Sequence, residues 1–289
     1  MCYIKRIGDG MLLSTETNSI VKRFGQEKAF ELIKKCGFDA CDFSFYNDGA
    51  RLLGDDYMEN ARSTKEMLDK AGLLCNQAHA PFDLKEGEAF DTSCNHYNAV
   101  VRSIEYAAYI GAKNIVVHLI CTANRDELCQ YNRRYYKSLE HYGKKFGIRI
   151  AIENDFERRD GRILPVLNDP YEYGEFIESL DSEWLVGCVD IGHAAMFRDP
   201  DDFILKTKGS FVQALHVHDN DLHEDLHMFP LIGRINWYGL CESLKRVNYS
   251  GDFTLEAVKS FDRIPNELME DTLIYIAKIG RYFMNQIKS

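Results

Sequence analysis

The sequence has 289 residues, with 45 acidic against 35 basic side chains, a formal net charge of −10, and 45% hydrophobic content. That apolar share suffices for a sizeable core and, with 28% charged residues, excludes a disordered or fibrous chain. The acid excess argues against non-specific binding to nucleic acid or to an anionic membrane surface, which calls for a basic face.

The opening stretch, MCYIKRIGDGMLLSTETNSI, has no continuous apolar core and no small-residue cleavage site, so no signal peptide is expected. No later stretch approaches the roughly 18 apolar residues of a membrane span. Nine cysteines are scattered without a CxxC pair, and an odd number fits a disulfide framework poorly. They read as small apolar side chains of a cytoplasmic protein.

Residues 11–13 form the first candidate strand. A helix over 26–36 follows, with Ala29, Phe30, Leu32, Ile33 and Cys36 on one side and Gly37 as its stop. Residues 40–45 and 73–78 are the next strands. The segment 92–110 is helical, with Val100, Val101, Ile104, Ala107 and Ala108 at helical spacing before Gly111. Residues 114–119 make the fourth strand, and a helix over 126–146, closed by Gly147, repeats the pattern. Strands over 148–153, 185–190, 212–217 and 252–257 complete a set of eight. A last helix over 266–287 is expected to cover the first and last strands, with a homo-oligomer contact as its alternative use. Runs such as Ile115-Val116-Val117 have the character of parallel strands buried on both faces. Eight alternating units of this kind predict a single α/β domain over residues 1–289, a (β/α)8 TIM barrel. A doubly wound sheet would use fewer strands, and no GxGxxG follows a strand here.

In such a barrel, active sites lie at the C-terminal ends of the strands. The third to eighth strands end on His79, His118, Glu153, Asp190 with His193, His216 and Glu256. Each alone reads as a cap or a solvated loop residue. Six consecutive strands delivering such groups to one rim is a different matter, because burying carboxylates and imidazoles together is costly unless they pair or bind metal. Carboxylate oxygen with imidazole nitrogen suits Mn²⁺, Mg²⁺, Co²⁺ or Zn²⁺. Asp225 and His227 form a further close pair in the loop after the seventh strand.

The motifs HAPF at His79, IEN at Glu153, DIGHA at Asp190 and His193, HVHDND at His216, HMFPLIGRINW at His227 and LEA at Glu256 resemble the xylose-isomerase-like TIM-barrel superfamily. The resemblance is in particular to its sugar phosphate isomerase/epimerase group. It implies one divalent metal held by Glu153, Asp190, His216 and Glu256, and an isomerase or epimerase acting through an enediolate. The substrate implied is a sugar, sugar phosphate or related keto-polyol. It also implies Glu153 and Glu256 as catalytic acid and base on opposite faces of the substrate carbon, and His193 as a substrate contact.

The alternative within the same superfamily is the endonuclease-IV group of apurinic-site nucleases, phosphodiesterases with three zinc ions. Their additional ligands resemble His79, His118, His193, Asp225 and His227. A nuclease must grip phosphate, yet the loops 46–57 and 83–91 carry more acids than bases, so no nucleic-acid partner is expected. Arg158, Arg159 and Arg162 are the cations that speak for it. The family's HLxPGxGxIDW-like run departs here, with Leu231 in place of the first Gly and Asn236 in place of Asp. Arg234 is a candidate cation for a phosphate or hydroxyl, and Phe82 a candidate wall for a sugar ring.

Overall fold

The computed structural model describes residues 10–82, 91–121, 125–207 and 209–288. Its main sheet is formed by β1 (Leu13–Glu16), β2 (Ala40–Ser44), β3 (Leu74–His79), β4 (Asn114–Val117) and β5 (Arg149–Glu153), followed by three later strands. An antiparallel hairpin of β6 (Asp155–Arg159) and β7 (Arg162–Val166) stands between, and β8 (Leu185–Asp190), β9 (Val212–His216) and β10 (Phe253–Leu255) complete the sheet. The eight sheet strands run parallel in the order β10-β1-β2-β3-β4-β5-β8-β9. Val217 bridges to Leu255 in parallel, and the Glu256 N–H donates to the Val217 carbonyl at 3.0 Å, closing the ring between β9 and β10. This is the (β/α)8 barrel that the alternation predicts.

The helices fall where expected: Gln26–Lys35, Asn95–Ile110, Arg125–Phe146 and Met269–Lys288. The last helix does cover the first and last strands. A β-carbon on Gly280 would stand 2.5 Å from a Leu13 methyl, and Phe283 lies against Phe253 with ring centroids 6.5 Å apart. Among the described residues, no helix is long and apolar enough to cross a membrane.

Two features differ from the expectation. The first strand runs over Leu13–Glu16 rather than 11–13, because its polar residues point into the barrel instead of ending it. There Ser14 bonds Thr254 Oγ1 at 2.8 Å. The hairpin was also not anticipated, although it turns on Asp160-Gly161 with φ of 50° and 72°, a two-residue turn that this dipeptide favours. The segment 83–90, most of the loop expected to form an acidic rim, lies outside the described residues.

The core has two compartments. Large apolar side chains such as Phe30, Tyr135, Phe203 and Phe253 fill the layer between strands and helices. Inside the barrel the apolar plug is small, comprising Val116, Ala151, Val186, Cys188 and Ala214. Above it the strand ends are polar. Glu16, Asp42, Glu153, Asp190, His216 and Glu256 are all buried there. The alternation of a strand sends them inward once the apolar layer is complete.

Candidate functional site

Glu153 is the hub of the barrel mouth. Its Oε1 lies 2.6 Å from His216 Nδ1, and its Oε2 lies 3.0 Å from His118 Nε2 and 3.9 Å from His79 Nε2. Across the ring, Glu256 Oε2 stands 3.4 Å from the same His216 Nδ1, while its Oε1 accepts a 2.6 Å hydrogen bond from the Tyr46 hydroxyl. Asp190 ends β8 and caps the short helix Ile191–Ala195, accepting the His193 N–H at 2.6 Å. Both its oxygens lie 3.1 Å from His218 Nε2. Asn154, next to Glu153, locks Asp190 from behind, taking its N–H at 2.7 Å and donating to its carbonyl at 3.0 Å.

A second group sits beside the first. Asp225 Oδ2 is 3.0 Å from His227 Nε2, and Asp225 Oδ1 faces His218 Nε2 at 3.8 Å and His193 Nε2 at 3.9 Å with no hydrogen-bond partner among the described residues. Lys259 holds Asp225 from the solvent side through both the carboxylate, at 3.0 Å, and the main-chain carbonyl. The loop that carries Asp225 and His227 is gathered at its stem by Asp219. That carboxylate accepts the N–H groups of Asn220 (2.9 Å), Leu231 (3.0 Å) and Ile235 (3.1 Å) and the indole N–H of Trp237 (2.8 Å).

The donor chemistry fits a divalent cation. Glu153, Asp190, His216 and Glu256 each offer a ligand atom, and these atoms lie within 4.8 Å of one another. The same holds for His193, His218, Asp225 and His227, and for His79, Glu153 and His216. The tautomers are set for it as well. His79, His193 and His227 direct Nδ1 at the main-chain carbonyls of Ala80, Asn154 and Glu256 at 2.8, 2.9 and 2.8 Å. A carbonyl only accepts, so Nδ1 carries a proton in all three rings and Nε2 is the nitrogen available to a cation.

Without a cation these groups neutralise one another. Burial alone would lower His193, but Asp190, Glu153, Asp155 and Asp225 push it up to about 10. His227 rises to about 9, where the bond to Asp225 outweighs the same burial. Burial pushes Glu153 up, yet His216, His118 and His79 hold it well below the usual carboxylate range. Each proton on such a ring is one that a metal ion must displace.

The family described as xylose isomerase-like TIM barrel matches residues 30–279 of this sequence. The chain belongs to it. Within the xylose isomerase-like TIM barrels, the chain is similar to an uncharacterized protein of Methanocaldococcus jannaschii, at 26% identity over 255 residues, 85% of this chain and 84% of that one. Among solved structures it superimposes on a D-tagatose 3-epimerase-like protein with a TM-score of 0.75 at 22% identity, covering 96% of this chain and 98% of the other. A D-psicose 3-epimerase in the presence of D-fructose gives a TM-score of 0.69 at 15% identity, covering 95% and 99%.

Leu231, which stands where the motif expects Gly, has φ of 75°, in the left-handed region that favours glycine, at a cost in backbone strain. Asn236 caps the helix Trp237–Arg246, its side chain accepting the Gly239 N–H as an Asp would. Phe82 lies at the mouth, parallel to His118 within 2° at 5.0 Å between centroids and 47% exposed. Arg234 is exposed and, among the described residues, no ion pair joins it to the cluster. Nearby, a cavity of about 290 Å³ is lined by Thr17, Asn18, Lys22, Tyr46 and Arg51, among others.

Three buried groups of the mouth escape the sequence reading, Glu16, Asp42 and His218, while Tyr46 reads there only as an aromatic residue at the rim. The strand-end rule applied to the first two strands finds Glu16 and Asp42, and His218 shares a strand face with His216 two residues away. No local pattern marks the Tyr46 hydroxyl as a partner of Glu256. Burial and the nearby Glu256 and Asp42 push Glu16 up to about 8.

Proposed function

We propose that the chain is a divalent-metal-dependent isomerase or epimerase of a sugar, sugar phosphate or related keto-polyol, working through an enediolate. The observation that carries this reading is the placement of Glu153 and Glu256 at 2.6 and 3.4 Å from one nitrogen of His216. Two carboxylates thereby converge on one point from β5 and from the end of β10. Glu153, Asp190, His216 and Glu256 would hold the cation, one of Mn²⁺, Mg²⁺, Co²⁺ or Zn²⁺. When bound, it supplies positive charge that stabilises the oxyanion developing on a substrate carbonyl.

One glutamate removes the proton on the carbon next to the carbonyl, and the C–H electron pair becomes the C=C bond of the enediolate. The other glutamate returns a proton to that carbon from the opposite face, so the configuration inverts. Tyr46 fixes the Glu256 carboxylate by donating to Oε1, which leaves Oε2 turned toward His216 and the ligand group. The cavity beside Tyr46 offers hydroxyl and amide groups to the remainder of a polyhydroxylated substrate. The likeness in fold to a D-tagatose 3-epimerase-like protein and to a D-psicose 3-epimerase supports the reading.

A second reading is favoured by one observation, the His193, His218, Asp225 and His227 group, which would extend the site to three zinc ions of a phosphodiesterase. The rim speaks against it. Arg158 is tied to Glu224 at 2.5 Å and Arg159 to Glu157 at 3.0 Å, so two of the loop's cations already face acids rather than a phosphate backbone. Incubation of the metal-loaded protein with a panel of ketoses in deuterium oxide separates the two. The proposed reaction incorporates solvent deuterium at one carbon and yields an isomer. Absence of exchange across the panel, with cleavage of a duplex carrying an abasic site, overturns it in favour of the phosphodiesterase.

A further inference from the structure

We infer that Asp42, which belongs to none of the ligand groups above, is the positioning residue of the metal centre. It holds the His216 imidazole with its proton on Nε2, so that Nδ1 is the nitrogen presented to the cation. The inference rests on the divalent-metal reading and adds to it which atom binds and what orients it.

His216 is gripped on two edges. Its Nδ1 edge faces Glu153 Oε1 at 2.6 Å and Glu256 Oε2 at 3.4 Å, which is the ligand side. Its Nε2 edge faces Asp42 Oδ2 across 3.2 Å, on the side of β2. Glu153 and Asp42 are both acceptors, so in this structure each edge of the ring calls for a proton. A cation in place of the one on Nδ1 would leave a neutral imidazole whose single N–H, on Nε2, donates to Asp42. Gln77 on β3 secures the arrangement by donating to the same Asp42 oxygen at 2.9 Å. The row Gln77, Asp42, His216, Glu153 thus crosses the barrel interior from β3 through β2 and β9 to β5.

Energetics point the same way. Asp42 is fully buried, and among the described residues its Oδ1 has no hydrogen-bond partner. An ionised carboxylate in that position is costly unless the group it faces carries positive charge. A ring polarised by a bound cation is such a group. The contrast with the neighbouring rings is informative. His79, His193 and His227 are oriented by neutral main-chain carbonyls, whereas His216 is oriented by a carboxylate, the stronger acceptor, which raises the basicity of the ligating nitrogen.

The experiment titrates Mn²⁺ into the metal-free full chain and into Asp42→Asn, Asp42→Ala and Gln77→Ala by calorimetry. Thermal denaturation of each metal-free protein checks the fold. Asp42→Asn is nearly isosteric and is expected to bind Mn²⁺ about 10–100-fold more weakly, with Asp42→Ala at least as weak and Gln77→Ala affected less. A second measurement needs no substitution at Asp42. In the Zn²⁺-loaded, ¹⁵N-histidine-labelled parent, the His216 ring proton, assigned with His216→Gln, is expected on Nε2 and far downfield. Mn²⁺ affinities of Asp42→Asn and Asp42→Ala within about twofold of the parent overturn the inference, as does a His216 proton found on Nδ1. A parent chain that binds no divalent cation overturns the metal reading itself, and the two failures are thereby distinct.

Discussion

Gly192 and His218 meet with no space for a methyl group between them. A β-carbon on the glycine would fall within the imidazole ring, and that ring is the one bonded to Asp190. The Gly of the DIGHA motif is therefore a packing requirement of the barrel mouth. Gly192→Ala is expected to push His218 off Asp190 and to destabilise the fold by about 1–3 kcal/mol. Chemical denaturation reads the loss, and stability equal to the parent's contradicts the packing argument.

Glu153→Gln and Glu256→Gln keep the shape of each side chain and remove its capacity to take a proton. Each is expected to lower turnover by about 10²–10⁴-fold while far-UV circular dichroism stays unchanged. Retained turnover in either variant removes that residue from proton transfer.

Tyr46→Phe isolates one hydrogen bond. The ring keeps its packing on His79 and Phe82, at centroid distances of 4.7 and 5.1 Å, and only the donation to Glu256 is lost. The expected result is a kcat lower by about tenfold, equivalent to ~1.4 kcal/mol in the barrier, with little change in stability. An unchanged kcat shows that Glu256 needs no such support.

Asp39 and Arg281 join the base of the barrel to its last helix through two hydrogen bonds of 2.6 and 2.7 Å, and Asp39 also accepts the Leu13 N–H at 2.9 Å. Partial burial raises the Asp39 pKa, but the Arg281 and Leu13 bonds outweigh it and hold the carboxyl below its ordinary value. A carboxyl depressed in the folded state contributes its stability above the unfolded pKa of about 3.9 and loses it as pH falls through the folded value. Arg281→Ala is expected to cost up to about 1 kcal/mol near neutral pH, since the pair is partly exposed. The gap between variant and parent should narrow as pH falls below the unfolded value of about 3.9 and close once Asp39 is protonated in both. Urea midpoints measured across that range decide the point; a gap that persists at low pH assigns the effect to packing.

The barrel was legible because its strands carry near-continuous apolar runs punctuated by glycine-terminated helices, a pattern that survives in one sequence. Leu185–Asp190 was placed to the residue. The first strand was misplaced because Ser14, Thr15 and Glu16 are buried polar residues, and a rule built on apolar runs discards them. The same rule hid Asp42 within ACDFS, where its partner His216 lies 174 residues away. Groups that act on a neighbour from across the barrel leave no local pattern. Tyr46 belongs to that class, since its hydroxyl reaches Glu256 over 210 residues of sequence. The Asp160-Gly161 turn, by contrast, was a local signal within a segment read only for its cations.

The Asp219 carboxylate ties residue 220 to residues 231 and 235 and to the Trp237 side chain, so the intervening loop is closed at its base before any ligand arrives. Closing a loop has an entropic cost, and here that cost falls on folding rather than on binding. On the metal reading proposed above, Asp225 and His227 would meet an incoming ion as a chelating arm already drawn to its target. Their capture of it after a first bond would be a unimolecular event governed by the local concentration that the knot at Asp219 sets.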